Sequence, residues 1–335
     1  MRGRPSTGPA VLSLFAGAGG LDLGFRRAGF TIPLAIDVAA SAVATLDCNG
    51  ASGATLVADI RKLSAAQIVE KLRSNDTPLP RGIIGGPPCQ GFSRGNARRD
   101  PRDPRNRLPF TYAKLLGELD ALIGIDFFVF ENVIGLVENK RLYKRITKAF
   151  EAAGFRLFHK QVDAEEFGVP QKRRRLFLVG LNTARMPVET FVFPRGRSKA
   201  KTVRDAIEGM PSPTYFSRAL RPSDIPFHPN HWTMVPKSSR FKERRFNRWR
   251  SFRRLKWDEP SPTVAYGNRE IHIHPDGTRR LTVLEAMLLQ GFPKTYVFHG
   301  NFSEQIVQVS NAVPPPVAFA LARALRRTLD ALGAR

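Results

Sequence analysis

Cysteine is nearly absent: the 335 residues include only Cys48 and Cys89, with no CxxC pair. That excludes a disulfide framework and a cysteine-based zinc site. Acidic residues are scarce, 29 against 53 Lys/Arg, for a net charge of +24. A surplus of that size points to a polyanionic partner. Of the cations 39 are Arg and 14 Lys, a bias that suits bidentate contacts to phosphate and guanine and that a GC-rich genome also produces. No apolar run reaches the 18 or so residues that cross a bilayer, and Met1 to Pro9 has no signal-peptide hydrophobic region, so a cytoplasmic protein without a membrane partner is expected. With 42% apolar and 24% charged residues, the composition excludes disordered and collagen-like chains. The length suggests about two domains.

From Ala10 the chain reads as strand, glycine turn and helix: Val11 to Phe15, then Ala16-Gly17-Ala18-Gly19-Gly20, then Leu21 to Ala28. Further strands are expected at Ile32 to Ile36, ending at Asp37, and at Thr55 to Ala58, ending at Asp59. Others follow at Gly82 to Gly85, Asp126 to Phe130 and Arg175 to Gly180, with a helix from Tyr112 to Ile123. Such alternation indicates an α/β domain with a mostly parallel sheet, assigned to residues 10–181. After Leu181 the rhythm is lost until about Thr282. From Asn182 to Leu281 there are 21 Lys/Arg against 9 Asp/Glu, and 182–281 is read as a second, basic domain. In 282–335 a helical pattern resumes, and a final amphipathic helix, Pro316 to Leu332, is expected to return to the first domain. No internal repeat is found.

Glycines at 17, 19 and 20 permit a tight turn and close backbone approach, and Asp37 stands about 20 positions on, where a carboxylate can take ribose hydroxyls. Glycine also serves ordinary turns. The G-x-G-x-x-G pattern for pyrophosphate is missing, which fits an adenosyl ligand without phosphates and makes a methyl donor plausible.

Gly85-Gly86-Pro87-Pro88-Cys89-Gln90-Gly91-Phe92-Ser93 follows a strand and precedes an arginine-rich loop. A free cysteine is usually a small buried hydrophobe; Arg94, Arg98 and Arg99 are close enough in sequence to favour a thiolate instead. Phe130-Glu131-Asn132-Val133 supplies a carboxyl group at a strand end. Gln171-Lys172-Arg173-Arg174-Arg175 leads into another strand, with a solvated basic turn as the bland alternative.

These segments together resemble the DNA cytosine-C5 methyltransferases of the prokaryotic restriction-modification type. The resemblance runs from about Val11 to Ala324 and includes Gln290-Gly291-Phe292-Pro293 and Asn311-Ala312-Val313-Pro314-Pro315, all in the family's order. It implies a Rossmann-like, S-adenosylmethionine-dependent domain with a smaller target-recognition domain. Phe15, Ala16, Gly17, Gly19, Gly20, Asp37, Val38, Asp59, Ile60, Pro87 and Asn311 would then border the cofactor, Asp37 at the ribose and Asp59 at the adenine amino group. Cys89 would attack cytosine C6, Glu131 would donate at N3, and Arg175 would steady charge at O2 with Arg173 in support. The target base must leave the duplex stack. Ser93, Arg94, Arg98, Arg99 and Gln171 would meet double-stranded DNA, the loop from Ser93 to Leu108 closing on its backbone.

The chain also departs from the family. Asp37 stands where Glu is commoner, Val38 where an aromatic residue often stacks on adenine, and Ser310 where Gly is usual. In the run from Arg280 to Gln290, Leu284 and Leu288 replace two arginines usual in that block of the family.

In the basic domain, Arg240 to Lys256 holds nine cations and one acid with Phe241, Phe246, Trp249 and Phe252 among them. This is the expected phosphate-tracking segment, through Arg244, Arg245 and Arg248; a solvated basic face is the alternative. His228, His231, His272 and His274 have no cysteine partners, and no metal site is expected. The resulting expectation is a monomeric DNA cytosine-5 methyltransferase, with a separately acting restriction endonuclease as the partner its type suggests. An RNA cytosine methyltransferase and a non-catalytic DNA-binding module are the rivals.

Overall fold

The computed structural model describes residues 8–88, 103–196, 199–237, 239–243, 253–263 and 272–333. They fall into two compact units. The first comprises Met1–Val162, Arg174–Arg195 and Val317–Arg335, the second Asp163–Arg173 and Gly196–Pro316.

The first unit opens with β1 (Ala10–Leu14), α1 (Gly20–Arg27), β2 (Thr31–Asp37), α2 (Ala40–Cys48), β3 (Ala54–Val57), α3 (Ala65–Ser74) and β4 (Gly82–Gly85). It continues through α4 (Leu108–Ile123), β5 (Phe127–Val133), the short α5 (Gly135–Glu138), α6 (Lys140–Ala152) and β6 (Phe155–Asp163). The chain then passes β7 (Gln171–Lys172) in the second unit and returns as β8 (Arg174–Asn182). Seven strands form one sheet in the order β3-β2-β1-β4-β5-β8-β6. Neighbours from β3 to β5 are parallel, while β8 runs antiparallel to β5. All five residues of β1 and all four of β4 are buried, the continuous apolar pattern of a strand covered on both faces. Ser64 and Gln67 start α3 with a reciprocal capping box. On one face, Phe128 stacks on Phe150 at 4.3 Å, and the buried Tyr112 hydroxyl donates to the carbonyls of Ile83 and Val129.

The second unit holds α7 (Val203–Ile207), β9 (Thr214–Tyr215), β10 (Trp232–Thr233), α8 (Ser239–Lys242), β11 (Ser261–Pro262), α9 (Val283–Leu289) and α10 (Phe302–Asn311). Its strands have two residues each, paired β9 with β10 and β7 with β11. The last helix, α11 (Pro315–Ala331), packs against α1, with Arg27 over the Phe319 ring. No helix among the described residues is long and apolar enough to cross a membrane.

Candidate active site at the carboxyl edge of the sheet

Strand register fixes what meets at this edge. Leu14 pairs with Ile36 on one side and Gly85 on the other, Gly85 with Phe130, and Asp37 with Val57. The chain therefore leaves the sheet at Phe15, at Val38 after Asp37, just before Asp59, at Gly86 and around Glu131 along one line. The strand order reverses between β1 and β4, and in open α/β sheets the crevice outside such a reversal is where ligands bind.

At the β1 end, Phe15 has φ 52°, Gly17 φ 54° and Gly19 φ 72°, conformations that are cheap for glycine and strained for phenylalanine. Asp37 explains how the loop is held: its Oδ2 accepts the Gly17 N–H at 2.8 Å and its Oδ1 the Ala39 N–H at 2.8 Å. Burial pushes the Asp37 carboxyl above its ordinary range, and these N–H donors pull it part of the way back. A Cβ placed on Gly17 would meet no atom within 4 Å, so the loop faces open space. Val38 beside it is 68% exposed, an apolar surface turned outward. An adenosyl ligand fits such a cradle. Asp59 is already engaged, because the Arg61 guanidinium lies on both its oxygens at 2.6 to 3.0 Å and holds its carboxyl below the usual range. Ile60 is buried.

At the β4 and β5 ends, Glu131 and Val133 face Phe177 and Arg175 of β8. Glu131 and Arg175 are thus diagonal neighbours on one face of an antiparallel pair, and Arg175 Nε lies 3.1 Å from Glu131 Oε1. A Cβ on Gly86 would stand 2.8 Å from Glu131 Oε2, so any larger residue here would have to push the Glu131 carboxylate aside. Asn132 Nδ2 donates to the Pro87 carbonyl at 3.1 Å. The segment that runs into Cys89 is therefore packed directly on the Glu131 strand end. Cys89, Ser93, Arg94, Arg98, Arg99, Arg244, Arg245 and Arg248 lie outside the described residues.

Gln171, Arg173 and Asn311 belong to the second unit. Gln171 is fully buried on β7 beside Ser261. Arg173 is 1% exposed and donates to the Ser310 and Ala312 carbonyls at 2.9 and 3.0 Å, whereas Arg175, two residues on, pairs with Glu131. Asn311 ends α10, exposed. His228, His231, His272 and His274 are all buried and hydrogen-bonded within the second unit, and no metal-holding group of three ligands occurs among the described residues. Sequence reasoning missed Gly86, Asn132 and Arg61. Gly86, in the strand-end run Gly85-Gly86-Pro87-Pro88, and Asn132, beside Glu131 in Phe130-Glu131-Asn132-Val133, were the visible signals among them.

The sheet order, the glycine loop and the acidic strand ends define a Rossmann-like fold of the S-adenosylmethionine-dependent methyltransferase class. A sequence model of the C-5 cytosine-specific DNA methylases matches residues 10–327, and the chain belongs to that family. It is 34% identical to the type II methyltransferase M.MthTI of Methanothermobacter thermautotrophicus, covering 96% of this chain and 98% of that one. It is 32% identical to the type II methyltransferase M.FnuDI of Fusobacterium nucleatum, covering 95% and 94%. Among solved structures, a prophage-encoded E. coli protein described as a DNA modification methyltransferase superposes with a TM-score of 0.77 at 27% identity, covering 96% and 99%. The Dnmt2 methyltransferase of S. pombe shares the fold, with a TM-score of 0.65 at 18% identity over 97% and 99%.

Proposed function

We propose that this DNA cytosine-5 methyltransferase acts on a cytosine flipped out of a specific duplex sequence, with S-adenosylmethionine as donor and Cys89 as nucleophile. The observation that carries the reading is the contact of Gly86 and Pro87 with Glu131 and Asn132, with Arg175 on the same carboxylate. Bound at the glycine loop, S-adenosylmethionine supplies an electrophilic methyl group. Asp37, which holds the loop through Gly17, would take the ribose hydroxyls, Asp59 would meet the adenine amino group, and Phe15, Val38 and Ile60 would give apolar contact. Cys89 adds to C6 as a thiolate while Glu131 donates at N3, which leaves C5 nucleophilic; after methylation, loss of the C5 proton and of Cys89 restores the ring. Arg175 orients Glu131 and stabilises charge at O2. Arg173 holds the 310–312 backbone, which brings Asn311 to its place.

In this reading residues 10–181 carry the catalytic machinery and 182–281 the target recognition, tracking phosphates through Arg244, Arg245 and Arg248; of the segment 282–335, the part from Val317 onward belongs to the first unit, while the part up to Pro316 belongs to the second. The type II names of the relatives support a role in restriction-modification; a separate endonuclease, a monomeric state and a cytoplasmic location belong to the same proposal.

Bisulfite sequencing of expression-host DNA tests the core of this proposal. Wild type is expected to protect cytosines in one sequence context, and Cys89→Ser to protect none. Conversion as complete as in the empty-vector control would remove the reading, and so would methyl transfer by Cys89→Ser within tenfold of wild type. In a competition assay duplex DNA, and not transfer RNA, is expected to take the label.

A further inference from the structure

Helix α6 carries a charge pattern that the fold itself does not explain. Lys140, Arg141, Lys144, Arg145 and Lys148 are all exposed, at positions i, i+1, i+4, i+5 and i+8. They form one helical face, opposite the buried Ile146 and Phe150. No acidic residue stands in the first turn, where a helix favours anions over the two cations found there. Like charges repeat at i, i+4 three times, and each repeat is unfavourable. Among the described residues none of the five makes an ion pair with a carboxylate. The acids on or next to this helix are Glu138, just before it, and Glu151, one turn beyond Lys148.

The topology sets where this face lies. Helix α6 begins seven residues after Val133, where β5 leaves the sheet at the carboxyl edge. Its direction is shown by how it packs on α4: Arg145 lies over the Phe110 ring at the start of α4, and Ala153 lies against Gly117, about two turns further along it. The two helices run side by side in the same sense, so Lys140 and Arg141 are at the edge that carries Glu131 and Lys148 is farthest from it. Exposed Arg107, also without an ion pair among the described residues, stands at the start of α4, the end of that helix that Arg145 of α6 reaches.

We infer that the exposed face of α6 is a second phosphate-binding surface, which holds duplex DNA flanking the recognised sequence on the catalytic unit's side. The inference rests on DNA being the substrate. A rise of 1.5 Å per residue makes the row about 12 Å long, which spans about three to four phosphates of one strand at 3.4 Å each. Such contacts carry no sequence information; they add affinity that falls with salt, and the gain depends on how far the duplex extends past the site.

The test measures affinity by fluorescence anisotropy, across a salt series, on two duplexes centred on the sequence context found by bisulfite sequencing. One is about 12 base pairs and the other about 40. Lys140→Gln/Arg141→Gln/Lys144→Gln is expected to lower the log K against log salt slope on the long duplex by about 0.9 for each phosphate no longer neutralised. On the short duplex wild type and variant should agree within twofold. Lys148→Gln alone should have the smallest effect of the single substitutions. An unchanged slope on the long duplex overturns the inference, as does an equal loss of affinity on both lengths. Loss of RNA affinity with duplex binding intact would also overturn it. Because these side chains are exposed, an unchanged thermal midpoint confirms that the variant folds. Failure of wild type to methylate any duplex would instead sink the reading of function, so the two failures are distinguishable.

Discussion

The two units use buried polar groups in opposite ways. In the first, apolar strands make the core and the polar groups gather where those strands end: Asp37 on the glycine loop, Asp59 under Arg61, Glu131 under Arg175. In the second, no strand among the described residues exceeds two residues and polar side chains tie the interior together. Arg279 donates to both oxygens of the fully buried Glu285 at 2.7 and 2.8 Å, and Glu285 closes a capping box with Thr282. Asn230 bridges to the Phe298 backbone, and Gln290 donates to the Val309 and Ala312 carbonyls. Burial raises the Glu285 carboxyl most strongly, yet the Arg279 guanidinium and the Thr282 N–H bring it below its ordinary range. The same residue chemistry therefore gathers at the strand ends in one unit, where the proposed function needs it, and ties the interior together in the other.

The sharpest way to break this contrast is to remove one arginine from each unit. Arg279→Met leaves Glu285 as an uncompensated buried charge, and the cost is expected at about 3–5 kcal/mol of stability, read from urea midpoints. Arg175→Met should shift the midpoint much less while lowering methyl transfer about 10²- to 10³-fold, the usual loss for one charge-stabilising donor. Equal stability losses for the two variants would erase the distinction.

Asp22 sharpens the comparison as a carboxyl buried in the first unit with no ion pair among the described residues, unlike Asp126 and Glu131, which are paired with arginines. It is fully buried on the first turn of α1, and neither oxygen meets a hydrogen-bond partner at normal geometry among the described residues. Burial pushes its pKa up to about 7, Asp37 adds to the rise, and the Ser13 hydroxyl and Arg26 offset only part of it. Since the folded value lies above the unfolded one, the neutral form favours folding. That stability is complete below about pH 3.8 and is lost as pH rises through 7, roughly 4 kcal/mol in all. Asp22→Asn should therefore gain about 2–3 kcal/mol on wild type between pH 5 and pH 8. Parallel pH profiles from urea unfolding would show that Asp22 is ionised in the fold at little cost.

Much of the first unit was legible in the sequence for the reason it is stable. Buried parallel strands read as short apolar runs: β4 stands where it was expected, and β1, β2 and β5 within three residues of their expected places. The edge strand β6 was missed because Phe155–Asp163 mixes exposed polar positions with few buried ones. Glu131 and Arg175 could be named from their segments, but their pairing could not, since it depends on β8 turning antiparallel beside β5. Arg173 read equally well as part of a solvated basic turn, and only tertiary structure shows it buried on backbone carbonyls. The capping of Glu285 by Arg279 was invisible too: Leu284 and Leu288 drew notice as missing arginines, while the arginine that serves Glu285 stands six residues upstream.

The smallest effect expected is at Asp59, and it tests whether the strand-end carboxylates are as available as the proposed cofactor role requires. Arg61 occupies both oxygens of Asp59, but its side chain is 46% exposed, and exposed pairs of this kind are weak and screened by salt. An adenine amino group arriving at Asp59 has to displace or share that guanidinium. Arg61→Ala should then tighten S-adenosylmethionine binding by less than about fivefold at low salt, with the difference shrinking as salt screens the pair. Asp59→Ala should weaken it. Calorimetry on the two variants separates three cases. Tighter binding in Arg61→Ala means the arginine competes with the ligand for Asp59, and weaker binding means it orients the carboxylate instead. If neither variant differs from wild type, the cofactor does not reach the end of β3.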